Sequence, residues 1–287
     1  MTAVGLACAS AVLFGAMSVA VRFAVRESGD AELGSLAMSS VAFVITAAIG
    51  LAATRRPDLA AVWPFLIAGT LAPGLSQVFF VRGVREAGAA RTSVLMGTAP
   101  LVAVAIALIF LGEPAQAPLL VGAGLIVAGG IALARERVRP ADFRRLGVVF
   151  ALTATVLFAV RDNVLRAIAK GTDVPALVAA PASLLAGLAT IAFFLTVARP
   201  GPWARGFGRQ LRLFLPAGVF FALSYAALFE AYYRGGVSVV APLVATESLW
   251  GVLFSAVFLR RSELVGPWLI AGAALIVAGG VLIGVSR

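Results

Sequence analysis

Apolar residues run along this chain in blocks of about twenty, separated by short polar segments. Ten blocks can be marked, at 3–25, 33–53, 62–82, 91–111, 117–134, 146–168, 175–198, 211–233, 237–259 and 264–285. A helix of that length spans a hydrocarbon core of about 30 Å. The strands of a membrane barrel would be about ten residues long with strict alternation, and the blocks show neither feature. The longest connections, "RERVRPADFRR" (135–145) and "RPGPWARGFGRQ" (199–210), are too short to fold by themselves. The pattern therefore predicts an all-α integral membrane protein of ten transmembrane helices. The first block, "AVGLACASAVLFGAMSVAV", has no basic stretch before it and is too long for the apolar core of a signal peptide, so it is expected to remain as a span.

The blocks also repeat. "LIVAGG" at 125–130 returns at 275–280, and Glu113 matches Glu263 at the same offset of 150. "VLF" at 12–14 returns at 156–158 and Arg22 matches Arg166, both at an offset of 144. Between them, "LS" at 75–76 matches 223–224, and Gly88 matches Gly236, at 148. Colinear matches with a slowly drifting offset indicate a duplicated unit. The units are 1–138 and 139–287, each of five spans. Five is odd, so the second copy lies upside down relative to the first. Two inverted five-helix repeats are the plan of many secondary transporters, whose sites lie near the midplane between the halves.

Composition agrees and removes several alternatives. The chain is 61% hydrophobic and 13% charged, with a mean hydropathy of +1.03; soluble domains carry about 25% charged residues. The formal net charge is +10, but the arginines sit in short loops, where they orient helices rather than bind nucleic acid. There is no histidine, and Cys8 is the one cysteine, so imidazole chemistry, an internal disulfide and a Cys/His metal site are excluded. No cofactor or metal is expected, and a membrane-embedded enzyme becomes a minor alternative. The expected partners are a small-molecule solute and the lipid bilayer, with the chain a monomer or a homodimer.

Ionisable residues inside a span are costly and mark functional sites by default. "FAVRDNVLRA" (158–167) places Arg161, Asp162 and Asn163 together in the sixth span, where the first copy carries Met17, Ser18 and Val19. Neighbours on a helix point about 100° apart, so Asp162 is expected to pair with Arg166, four residues on, and Arg161 with a carboxylate of another helix. Glu247, in "PLVATESLW" of the ninth span, and Glu230 are the candidates. Glu247, Asp162 and Glu230 are also the candidate proton-coupling residues, and Arg161 could receive a substrate carboxylate in bidentate fashion. For each, a permanent structural ion pair is the competing reading. Phe14, Phe158 and Trp250 are candidate apolar walls, although aromatics in spans also face lipid. The small residues of the fifth and tenth spans suit close packing, either within the chain or between copies.

"APLVAVAIALIFLGEP" (99–114) with "GAGLIVAGGIAL" (122–133), and "LWGVLFSAVFLRRSE" (249–263) with "AGAALIVAGGVLI" (271–283), resemble the drug/metabolite transporter superfamily, EamA family. The resemblance covers the whole chain. It implies secondary transport or export of small metabolites, such as amino acids or similar amphipathic solutes, through a central cavity by alternating access. A flippase for a lipid-linked substrate on the same scaffold is the alternative. In this family the third and eighth helices line the cavity, which adds Gln77 and Tyr225 to the candidate site. The second copy departs from the pattern, with Arg261-Ser262-Glu263 in place of "LGE" and Trp250 at the position of Pro100. Glu113 and Glu263 both precede a helix, whose dipole a carboxylate complements.

With ten spans both termini share one face. Assigning each basic residue to the nearer helix end puts about six there and about sixteen on the opposite face, which places the termini outside the cytoplasm. The resemblance implies the reverse, with both termini inside. The expected location is the bacterial cytoplasmic membrane.

Overall fold

The computed structural model describes residues 2–54, 60–102, 105, 117–136, 142–199, 202–259 and 263–285. These are mostly helical, with no strand among the described residues. The helices are α1 (Ala3–Ser28), α2 (Ala31–Ala53), α3 (Trp63–Gly69), α4 (Ser76–Ala87), α5 (Ala89–Met96), α6 (Ala117–Arg135), α7 (Leu146–Ala169), α8 (Ala176–Ala198), α9 (Phe207–Arg234), α10 (Val237–Ala245), α11 (Glu247–Phe258) and α12 (Pro267–Val285). Eight stretches are long and apolar enough to cross a membrane, and Pro267–Ile283 is a shorter apolar helix. The fourth expected span begins with α5; much of its remainder, and Glu113 with it, lies outside the described residues.

Two expected spans are broken. The third consists of α3 and α4 joined through a wide turn at Pro73, where Ala72 is extended (φ −144°, ψ 118°). The ninth consists of α10 and α11, which meet at Thr246 four residues after Pro242. Proline removes a backbone donor and crowds the preceding turn, and in lipid such a break survives only inside the protein. The second break leaves Glu247 as the first residue of α11.

Ion pairs fix how the helices run. Asp30, between α1 and α2, meets Arg199 at the end of α8, with Nη1 to Oδ2 at 2.6 Å. Glu86, near the end of α4, meets Arg144 just before α7 at 3.4 Å. The ends of α1, α4 and α8 therefore share one face with the start of α7. Thus α7, the repeat equivalent of α1, runs antiparallel to it, as an inverted repeat requires. Packing follows the same exchange: α1 packs along α9, and its equivalent α7 packs along α4, the end of the third span.

α6 and α12 carry the two copies of "LIVAGG" and pack on each other. A Cβ at Gly122 would lie 2.8 Å from the Gly279 carbonyl oxygen, and one at Gly129 would lie 2.7 Å from that of Gly272. Both glycines are there for close backbone approach, so this part of the small-residue stripe is an internal seam.

Candidate functional site

A cavity of about 70 Å³ lies between the repeats. Ser10 and Phe14 of α1 and Met96, Ala99 and Pro100 of the fourth span line one side. Phe158, Arg161, Asp162 and Asn163 of α7, Tyr232 of α9, and Glu247 with the α10 residues before it line the other. These positions fall in the second half of α7, the last turns of α9 and the start of the ninth span. The cavity thus occupies the half of the bundle nearer the termini.

Six sequence candidates meet here: Phe14, Phe158, Arg161, Asp162, Asn163 and Glu247. The pairing among them differs from expectation. Arg161 Nε lies 2.8 Å from Asp162 Oδ1, a neighbour in sequence. The side chain is long enough to curl back, and its guanidinium rests 5.3 Å from the Phe158 ring centroid and 5.2 Å from that of Tyr225. Arg166 does not reach Asp162; its Nη1 donates to the Tyr232 carbonyl at 2.6 Å. Asn163 donates to the Ala159 carbonyl of its own helix at 2.8 Å. Glu247 is 6% exposed and has no ion pair among the described residues.

Four candidates stand outside the lining. Tyr225 sits behind Arg161, and its hydroxyl is 2.9 Å from Ser183 Oγ. Trp250 stacks on Phe254 at 5.8 Å, and its Cβ lies beside Gly15. Gln77 is fully buried, and neither side-chain polar atom has a hydrogen-bond partner among the described residues. Glu230 accepts from Arg234, one turn along the same helix, at 2.8 Å. Ser10 and Tyr232 are polar lining residues that sequence reasoning missed.

The opposite half is tied together by ion pairs. Arg22, 1% exposed, lies 2.7 Å from the buried Glu263 of the second repeat. It also donates to both oxygens of Asp142, at 2.8 and 2.9 Å, and to the Val84 and Arg85 carbonyls at 3.2 and 2.7 Å. Glu263 in turn accepts from the Ala90 N–H at 3.4 Å, at the start of α5. It serves the helix of the other repeat rather than the helix that follows it, contrary to the dipole reading. Arg199 holds both Asp30 and Glu32 at 2.6 Å, and Glu32 also takes Arg82. Burial alone would raise the Asp30 carboxyl; the Arg199 side chain and the Leu33 N–H outweigh it and hold Asp30 below its usual value. Among the described residues, every ion pair between the repeats lies at this face.

The arginine matched in both repeats has a matched partner. Arg22 donates to the Val84 carbonyl and Arg166 to that of Tyr232, 148 residues on, the offset found in sequence for this part of the repeat. Arg22 has two carboxylates besides, whereas Arg166 has none among the described residues.

Comparison with known proteins supplies the family. A solved structure described only as a crystal structure of a protein superposes with a TM-score of 0.66 at 19% identity, covering 98% of this chain and 95% of its own. That likeness shows the shared fold alone. No curated protein matches the sequence. The model of the EamA-like transporter family matches twice, over residues 1–135 and 145–285. The chain, an integral multi-pass membrane protein of two inverted repeats, belongs to the EamA-like transporter family.

Proposed function

We propose that this chain exports a small amphipathic metabolite, an amino acid or a similar solute, by alternating access through the cavity between its repeats. The observation that carries the reading is the asymmetry of the bundle. Ion pairs between the repeats lie at one face, and a cavity holding Arg161, Asp162 and Glu247 lies toward the other. Exchanging the conformations of two inverted repeats closes the open side and opens the closed one. The matched contacts of Arg22 and Arg166 support such an exchange, because each arginine is tied to its own repeat in the same way.

In the cavity Arg161 and Asp162 offset one another, and Glu247 has no ion-pair partner among the described residues. A solute ammonium answers Glu247, and a solute carboxylate lies toward Arg161, whose guanidinium Phe158 and Tyr225 hold flat. Phe14 and Phe158 receive the apolar part. A proton and an ammonium compete for the same carboxylate, which couples export to proton entry. Asp162 and Glu230 are already engaged by Arg161 and Arg234, so Glu247 is the carrier. The positive-inside rule assigns the sealed, more basic face to the cytoplasm of a bacterial cell, so the cavity here faces outward.

Proteoliposomes loaded with labelled amino acids and related metabolites test this. The expected result is efflux driven by an inward proton gradient for at least one solute and lost in Glu247→Gln. Efflux no faster than from empty liposomes for a broad panel would end the proposal.

A further inference from the structure

A second groove lies at the more basic face, away from the central cavity. Between α5, α6 and the start of α7 runs a groove of about 400 Å³. Its walls are apolar, with Leu133 on α6 and the 56%-exposed Val149 on α7 among them. Its polar end carries Arg91 and Arg145, and no carboxylate lines it among the described residues. Arg91 is held in place: it donates to the Glu263 carbonyl at 3.1 Å and lies 5.9 Å from the Phe143 ring. Arg144 pairs with Glu86, but its neighbour Arg145 is exposed and has no ion pair among the described residues. α7 begins here with no acidic residue in its first turn and no capping side chain, so its positive end adds to the two arginines.

The depth of these groups identifies the occupant. Arg145 directly precedes α7, so its guanidinium sits at the level of the lipid headgroups. Gly130 and Val149 lie about a turn or more deeper, along helix faces that meet hydrocarbon. A polar end of positive charge above a long apolar trough matches a phospholipid of net negative charge, and neither free phosphate nor a neutral lipid matches both parts. We propose that this groove holds one anionic phospholipid, its phosphate at Arg145 and Arg91 and an acyl chain along Gly130, Leu133 and Val149. The site is independent of the transport reading, since it shares no lining residue with the central cavity.

The test measures lipid retained by the full-length protein in detergent micelles supplied with phosphatidylglycerol, with phosphatidylcholine, or with inorganic phosphate. One phosphatidylglycerol per chain should survive gel filtration, and phosphatidylcholine should be lost. Arg145→Ala should lower the retention about fivefold, the effect of one arginine at an anionic headgroup. Gly130→Leu should lower it as well by filling the trough; a Cβ there meets nothing within 4 Å, so the helix tolerates it. Melting temperatures in lipid-free micelles confirm that both variants are folded. Equal retention of the two lipids, displacement by inorganic phosphate, or unchanged retention in either variant would overturn the assignment.

Discussion

Replacing Glu263 with alanine tests the seal. The residue is fully buried, and Arg22, its partner at 2.7 Å, is 1% exposed. Removing one member of such a pair costs about 3–5 kcal/mol, chiefly because it strands the other charge. Arg22 keeps Asp142 and two carbonyls, so the lower end applies, about 3 kcal/mol. Burial pushes the Glu263 carboxyl above its usual value despite Arg22, which marks the pair as costly to desolvate. The loss should therefore shrink when the stranded charge is removed too: Arg22→Met with Glu263→Ala should recover at least half of it. About 3 kcal/mol corresponds to about a hundredfold change in the balance between sealed and open states. Ser93, buried one turn below Ala90, reports on that balance. In a Cys8→Ser background, Ser93→Cys should react with an impermeant maleimide from the sealed face about a hundredfold faster when Glu263 is alanine, and much less so in the double variant. If the double variant opens as far as the sum of the single ones, the stranded-charge reasoning is refuted.

Arg199→Ala removes the contacts to Asp30 and Glu32 together. Asp30 is held below its usual 3.8, so its contribution is present above that pH and is lost as pH falls through the lower, folded-state value. The wild-type melting temperature should accordingly fall more steeply than that of Arg199→Ala below about pH 4, and parallel curves would remove Asp30 from the account. Arg161→Lys keeps the charge but loses the flat face between Phe158 and Tyr225, so initial transport rates should drop about tenfold or more; a rate within about twofold of wild type would mean that the stacking is dispensable. Gly129→Leu drives a side chain into the Gly272 carbonyl and should cost about 1–3 kcal/mol or more, read as a lower melting temperature, whereas adjacent Gly130→Leu, facing open space, should not. Equal melting temperatures for the two leucine variants would contradict the internal seam.

The spans and the duplication were legible because lipid leaves the backbone few choices and because small residues at a helix seam resist drift. The interest of Arg161, Asp162 and Glu247 was legible for the related reason that charge in a span is expensive. The pairing was not. Helix geometry sends adjacent side chains about 100° apart, but a guanidinium on a three-carbon stem can fold back over Phe158 and Tyr225 to reach Asp162. Glu263 read as a helix-start residue because nothing local shows that the end of the first span arrives beside it. Asp142 sat in a connection that looked merely solvated, yet both of its carboxylate oxygens accept from Arg22 Nη2. Such partners lie 120 residues apart or more in the chain and are joined by tertiary folding alone. Gln77 was named from the resemblance; it lies outside the cavity, with its amide unpartnered among the described residues.

The central claim is that one cavity between the repeats is reached from one face at a time. Asn163 lines that cavity and is exposed in it, and Cys8 is the one native thiol. The direct measurement is maleimide labelling of Asn163→Cys, in a Cys8→Ser background, from each side of oriented vesicles, with and without a transported solute. The account predicts rapid labelling from the face that carries the termini, slow labelling from the basic face, and a shift between them when solute or a proton gradient is applied. Equal labelling from both faces, or labelling indifferent to solute and gradient, would contradict it.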